Sequence, residues 1–198
     1  MCSETARKEG LRERKRRETL LRIAETGLNL FAEKGYDETT LEEIAEASGI
    51  SPRTFFYYFK TKDEVLQYWQ GMGFADAVPP ALLAQPPEKP PLAAVRDTFI
   101  GLITRYQTEK SLAVDRIYNS SETLRVRKQV FYLHMEQTVF ATLCERWPQP
   151  ARRAELRMVA MVAIGAFRLA MEARRNDTQI RPIAEYLSES FALLESRL

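Results

Sequence analysis

Apolar residues recur along this chain at helical rather than strand spacing. Leu20, Ile23, Ala24, Gly27, Leu28 and Phe31 follow the i, i+3, i+4 pattern, and Gly35 supplies a stop. Leu41, Ile44, Ala45 and Ser48 make a second, shorter face ending at Gly49. The same reading predicts helices near 92–109, 111–119, 121–147, 151–175 and 180–197. There is no sustained apolar–polar alternation and no Asn-Gly or Asp-Gly hairpin, so the chain is predicted to be all-α. Six of the ten prolines fall between Pro79 and Pro91, which predicts a loop or linker there.

The stretch from Thr39 to Leu66 carries three start signals in a row. Thr39 with Glu42 and Thr40 with Glu43 both fit the capping box, Ser51 precedes Pro52, and Thr61 precedes Glu64 by three. Helices are therefore predicted to start near 40, 51 and 61, the first two joined by a turn around Gly49. Two short helices about a glycine turn, after a longer amphipathic helix, describe a helix-turn-helix. On the second short helix, Pro52, Phe55, Phe56 and Phe59 cluster as the predicted core face, and Arg53, Thr54, Tyr57 and Tyr58 fall opposite, with Ser51 at the entry. An outward Arg, Thr and two Tyr suit a major groove, where Arg reaches guanine and Thr meets a thymine methyl or a phosphate. The competing reading packs the two Tyr on neighbouring helices. Lys60 and Lys62 flank the next helix start, where free amides already favour a phosphate.

Charge sharpens this picture through its placement. The chain of 198 residues carries a formal net charge of only +2. Arg7 to Arg17 holds seven Lys/Arg against two Glu, so the excess sits in one arm. That arm is either a phosphate binder or a solvated helix extension. Residues 1–62 as a whole are nearly balanced, with twelve basic and eleven acidic side chains. The longest apolar run, Met158 to Phe167, is too short to span a bilayer, and no apolar signal core opens the chain. Cys2 and Cys144 read as reduced thiols of a cytoplasmic protein, and with His134 the single histidine no Cys/His zinc site is expected. Neither a Glu-x-x-His pair nor a glycine-rich phosphate loop is present, which argues against an enzyme.

Residues 18–66 resemble the tetracycline-repressor (TetR) family of bacterial regulators. Gly35, Tyr36, Thr39, Thr40, Ile44, Ala45, Gly49, Ser51, Thr54, Phe59, Lys62 and Leu66 stand in that family's pattern. The resemblance implies about nine helices: an arm over 1–17, a helix-turn-helix domain over 18–62, and a ligand-binding and dimerising body over 63–198. It implies base contacts by Arg53, Thr54 and Tyr57, and phosphate contacts by Thr39, Thr40, Tyr58 and Lys62, with Ser51 and Lys60 alongside. Phe56 departs from the Tyr most common in the family and cannot donate a hydrogen bond. The arm is similar to extensions that some members lay into the minor groove.

In the body, the run MVAMVAIGAF is apolar nearly all round, and Ala160, Ala163, Gly165 and Ala166 permit close helix approach. Ile183, Leu187, Phe191, Leu194 and Leu198 form a stripe on the last helix. These two helices either complete the monomer core or pair with a second copy, and the resemblance favours a homodimer. Trp69 and Phe74 are read onto the helix that follows residue 61. Candidate pocket residues are Trp69, Phe99, Ile103, Tyr106, Arg116, Tyr118, Phe131, His134 and Arg168. The function read from the chain is a ligand-responsive repressor, released from a pseudo-palindromic DNA operator by a small hydrophobic effector and needing no cofactor or metal. The alternative is a dimeric DNA-binding regulator or architectural protein without an effector.

Overall fold

The computed structural model describes residues 10–70, 74–106, 108–179 and 181–197. Among these, ten α-helices and one 3-10 turn are present and no strand. They fall into two compact units, the first holding 10–70 with 113–117, the second holding the rest.

The first unit is built on α1 (Leu11–Lys34), α2 (Leu41–Ala47), α3 (Pro52–Tyr58) and α4 (Lys62–Gln70). The predicted face of α1 is its buried face: Ile23, Ala24, Gly27, Leu28 and Phe31. Gly27 lets α1 meet its neighbours closely, because a Cβ there would lie 2.6 Å from Val65 Cγ1 on α4. Gly35 and Gly49 take φ of 93° and 68°, a region that L side chains avoid, and so end α1 and turn α2 into α3. Ile44, Ala45, Phe55, Phe59, Val65 and Leu66 complete this core. Residues 11–17 of the basic arm are the first two turns of α1 and are exposed; residues 1–9 of that arm lie outside the described residues.

The second unit holds α5 (Phe74–Leu83), α6 (Pro91–Tyr106), α7 (Glu109–Asn119, of which 113–117 group with the first unit), α8 (Glu122–Arg146), α9 (Arg153–Asn176) and α10 (Ile183–Arg197). Its core is rich in rings: Phe99 lies 5.9 Å from Phe74 and 5.6 Å from Phe167 between centroids. Two expectations are corrected here. The proline-rich stretch is helical at its start, with Pro79 and Pro80 inside α5. Phe74, Val78 and Leu82, spaced i, i+4, i+8, are all buried, and that burial outweighs two forfeited ladder bonds. Phe74 accordingly opens α5 and does not ride on the same helix as Trp69.

Candidate nucleic-acid interface

The interface residues are held by caps. Thr40 has extended backbone, its hydroxyl accepts from the Glu43 amide at 3.1 Å, and the Glu43 carboxylate accepts from the Thr40 amide at 2.9 Å. Lys34 Nζ donates to the same carboxylate at 2.8 Å. Lys34 foremost, with the Thr40 amide behind it, holds the Glu43 pKa down to about 2. Thr39 lies one residue too early to cap. It is buried, and its hydroxyl donates to the Gly35 carbonyl at 2.7 Å. Its side chain is committed inside the unit and is not presented for a phosphate.

On α3, Ser51 Oγ accepts from the Thr54 amide at 3.2 Å and lies 2.9 Å from the Thr54 hydroxyl. Phe55 and Phe59, i and i+4, point down into the core. The predicted four-residue core face is thus too wide: Pro52 is exposed and Phe56 is 39% exposed. Seven residues make barely two turns, which bury one strip rather than a third of the wheel. Arg53, Thr54 and Tyr57 are exposed, Tyr57 at 68%, while Tyr58 is half-buried and meets the Tyr57 ring edge-on at 5.1 Å. The outward face of α3 therefore carries Arg53, Thr54, Phe56 and Tyr57.

Lys60 is exposed, and its ammonium donates to the Phe56 carbonyl at the end of α3. Thr61 caps α4, accepting from the Glu64 amide at 3.2 Å, and the Glu64 carboxylate reaches back to the Lys60 amide at 2.6 Å. Lys62 turns inward. Its ammonium donates to the carbonyls of Tyr36 at 2.7 Å and Asp37 at 3.1 Å and sits 4.6 Å from the Tyr36 ring centroid. The Tyr36 hydroxyl donates to Asp63 at 2.7 Å. Lys62 thereby ties the start of α4 to the turn before α2. Sequence reasoning missed this clasp, although Tyr directly after the helix-ending Gly35 was its visible signal.

The nine candidate pocket residues are divided between the two units. Phe99 and Ile103 are buried in the second unit's core, and Tyr106 and Phe131 pack at its margin. Trp69 belongs to the first unit, where its indole donates to the Ala24 carbonyl at 2.8 Å. Arg116 is exposed, and Tyr118 is buried. His134 and Arg168 are exposed, Arg168 lying 5.3 Å from the Tyr132 ring. On α9 the small residues Ala160, Ala163 and Ala166 face inward and are buried. Ile183, Leu187 and Phe191 on α10 likewise complete the monomer core. The apolar residues left outside are Met158, Met161 and Leu169 on α9 and Leu193 on α10, each about half exposed or more.

Capped short helices that present Arg, Thr and Tyr on one side make a helix-turn-helix. Residues 23–68 match the family described as bacterial regulatory proteins, tetR family. The match runs from the buried half of α1 to near the end of α4. The HTH-type transcriptional regulator TcmR of Streptomyces glaucescens is 37% identical over 106 residues, covering 54% of this chain. The chain spans 46% of TcmR's length, and less of the other curated relatives. The fatty acid degradation regulator FadR from Bacillus halodurans shares the fold over 97% of this chain and 98% of its own, with a TM-score of 0.64 at 17% identity. Thermus thermophilus FadR, a TetR family transcriptional repressor solved with lauroyl-CoA, covers 90% of this chain and 95% of its own, with a TM-score of 0.54 at 25% identity. Among the described residues, no helix is long and apolar enough to cross a membrane.

Proposed function

We propose that this protein is a homodimeric, sequence-specific DNA-binding repressor, released from its operator by a small hydrophobic effector. One observation carries the reading. Phe55 and Phe59 anchor α3 from below, which leaves Arg53, Thr54 and Tyr57 exposed together on a rigid element. Arg53 and Thr54 supply the base contacts, and Tyr57 serves a base or the adjoining sugar. Thr40, Ser51, Tyr58 and Lys60 lie at the edges of the same surface and take phosphates, whereas Thr39 and Lys62 hold the unit together. Two copies place two α3 helices about one DNA turn apart, roughly 34–36 Å, on a pseudo-palindrome.

The effector belongs in the second unit, among Phe74, Phe99, Tyr106, Phe131 and Tyr132, where apolar rings dominate. The acyl-CoA bound by the Thermus neighbour supports a hydrophobic ligand class. Such a ligand releases DNA only if it binds the DNA-incompetent state more tightly. The test is anisotropy titration against DNA upstream of the protein's own gene, beside a scrambled duplex and the variant Arg53→Ala/Thr54→Ala. The expected result is tight, salt-dependent binding that prefers the upstream DNA, is lost in the variant, and is reversed by a fatty acyl-CoA or an aromatic compound. Equal binding to both duplexes at every salt concentration would sink the sequence-reading role.

A further inference from the structure

The α1 helix extends well beyond what the first unit needs for packing. Its buried residues start at Ile23 and Thr19 to Leu21 are half-buried, yet it begins at Leu11, so two turns stand proud of the core. Arg12, Lys15, Arg16 and Thr19 are spaced i, i+3, i+4 and i+7 and therefore share one face. That face and the Tyr57 and Tyr58 rings of α3 are the walls of a cleft of about 760 Å³. Among the described residues, no acidic side chain lines it. Of the two carboxylates on these turns, Glu13 and Glu18, neither is part of the cleft wall, and Glu18 is engaged by Arg14 at 2.9 Å. Like charges at these spacings weaken a helix, so the row repels itself until an anion covers it.

We infer that this cleft grips one sugar-phosphate strand of the operator beside the groove that α3 enters. The occupant follows from charge and from continuity. Three cationic side chains face a partner of regularly spaced negative charge, and Tyr57 belongs both to the cleft and to the outward face of α3. A strand lying along α3 thus runs on into the cleft. The helical form of residues 11–17 makes this a rigid backbone grip, distinct from an arm threaded along the minor groove. The inference rests on the DNA-binding reading proposed above.

The test compares wild type with Arg12→Gln/Lys15→Gln/Arg16→Gln on an operator selected from random duplexes. Gln keeps helix propensity close to that of Lys and Arg. Each lost phosphate contact lowers the slope of log affinity against log salt by about 0.9, so the variant's slope falls by about two to three per subunit. Preference for the operator over a scrambled duplex stays the same, because phosphates carry no sequence information. Phosphate-ethylation interference then shows one or two backbone positions per half-site that matter to wild type and not to the variant. In wild type alone, operator DNA slows acetylation of Lys15 several-fold and leaves exposed Lys110 unchanged, which keeps the test valid if the variant misfolds. A lower slope with an unchanged interference pattern would mean diffuse attraction and overturn the cleft. An unprotected Lys15 in bound wild type would overturn it too. If wild type binds no duplex, the regulator reading itself fails and takes this one with it.

Discussion

Glu43 does two jobs that a single substitution separates. Its carboxylate accepts from the Thr40 amide and pairs with Lys34, and the Lys34 hydrogen bond, ahead of the cap, holds its pKa down to about 2. A carboxylate with a depressed folded pKa adds stability above its unfolded value and loses it as pH falls toward the folded one. Glu43→Gln keeps an oxygen for the cap and removes the charge. The variant is therefore expected to melt below wild type at neutral pH, with a gap that closes between about pH 4.5 and pH 2. Paired thermal melts across that range check it, since other carboxylates shift both proteins alike. On α3, Arg53→Ala is expected to cost about 1–3 kcal/mol of discrimination against the scrambled duplex and to leave most of the salt dependence in place. Side chains on this unit were legible in sequence where spacing decides them: Ser51 caps α3, and Phe55 and Phe59 bury. Lys62 was not, because its partners are carbonyls 25 and 26 residues away that only the fold brings close.

At the scale of elements, the boundaries of the later helices followed from periodicity, and the exceptions follow from competing local terms. Proline reads as a breaker because it removes a ladder bond, but α5 buries Phe74, Val78 and Leu82 along one side and tolerates Pro79 and Pro80. Pro80 is exposed and contributes little packing. Pro80→Ala is expected to stabilise the protein by about 2–2.5 kcal/mol, the helix gain of about 3 less the roughly 0.4–1 of entropy returned to the unfolded chain. A raised urea midpoint at unchanged slope is the readout. The α1–α4 pair makes the opposite case. Gly27→Ala gains about 1 kcal/mol of helix propensity, yet the new Cβ would lie 2.6 Å from Cγ1 of fully buried, stiff Val65. Overpacking of about 1–3 kcal/mol wins. The variant is expected to melt lower, and Gly27→Ala/Val65→Ala to fall short of the sum of its two single changes.

For the whole molecule, the proposed homodimer raises the question of which face of α9 would meet a second copy. The sequence offered Ala160, Ala163, Gly165 and Ala166 as one set of small residues, but α9 packs against α8, α10 and α6 and turns the three alanines inward. A hydropathy pattern that is apolar nearly all round cannot say which side belongs to the monomer. Exposure separates them. Gly165 stays outside, between Met161 and Leu169 on one strip with Met158. Glycine inside a helix costs about 1 kcal/mol against alanine. Nothing lies within 4 Å of where its Cβ would stand, so the monomer gains nothing from it. A second helix approaching closely would. Gly165→Leu is therefore expected to leave the fold of each subunit intact, or slightly more stable, and to convert the dimer to monomer in sedimentation velocity. Met161→Glu is expected to do the same by placing a charge in the seam. Because two α3 helices on one duplex act as a linked pair, each variant should also lose operator affinity by about the effective-concentration factor of 10²–10⁴ while still binding a half-site. If Gly165→Leu remains a dimer with full operator affinity, the outer strip of α9 is not the seam, and another exposed apolar strip, Val126, Val130 and Leu133 on α8, becomes the surface to test.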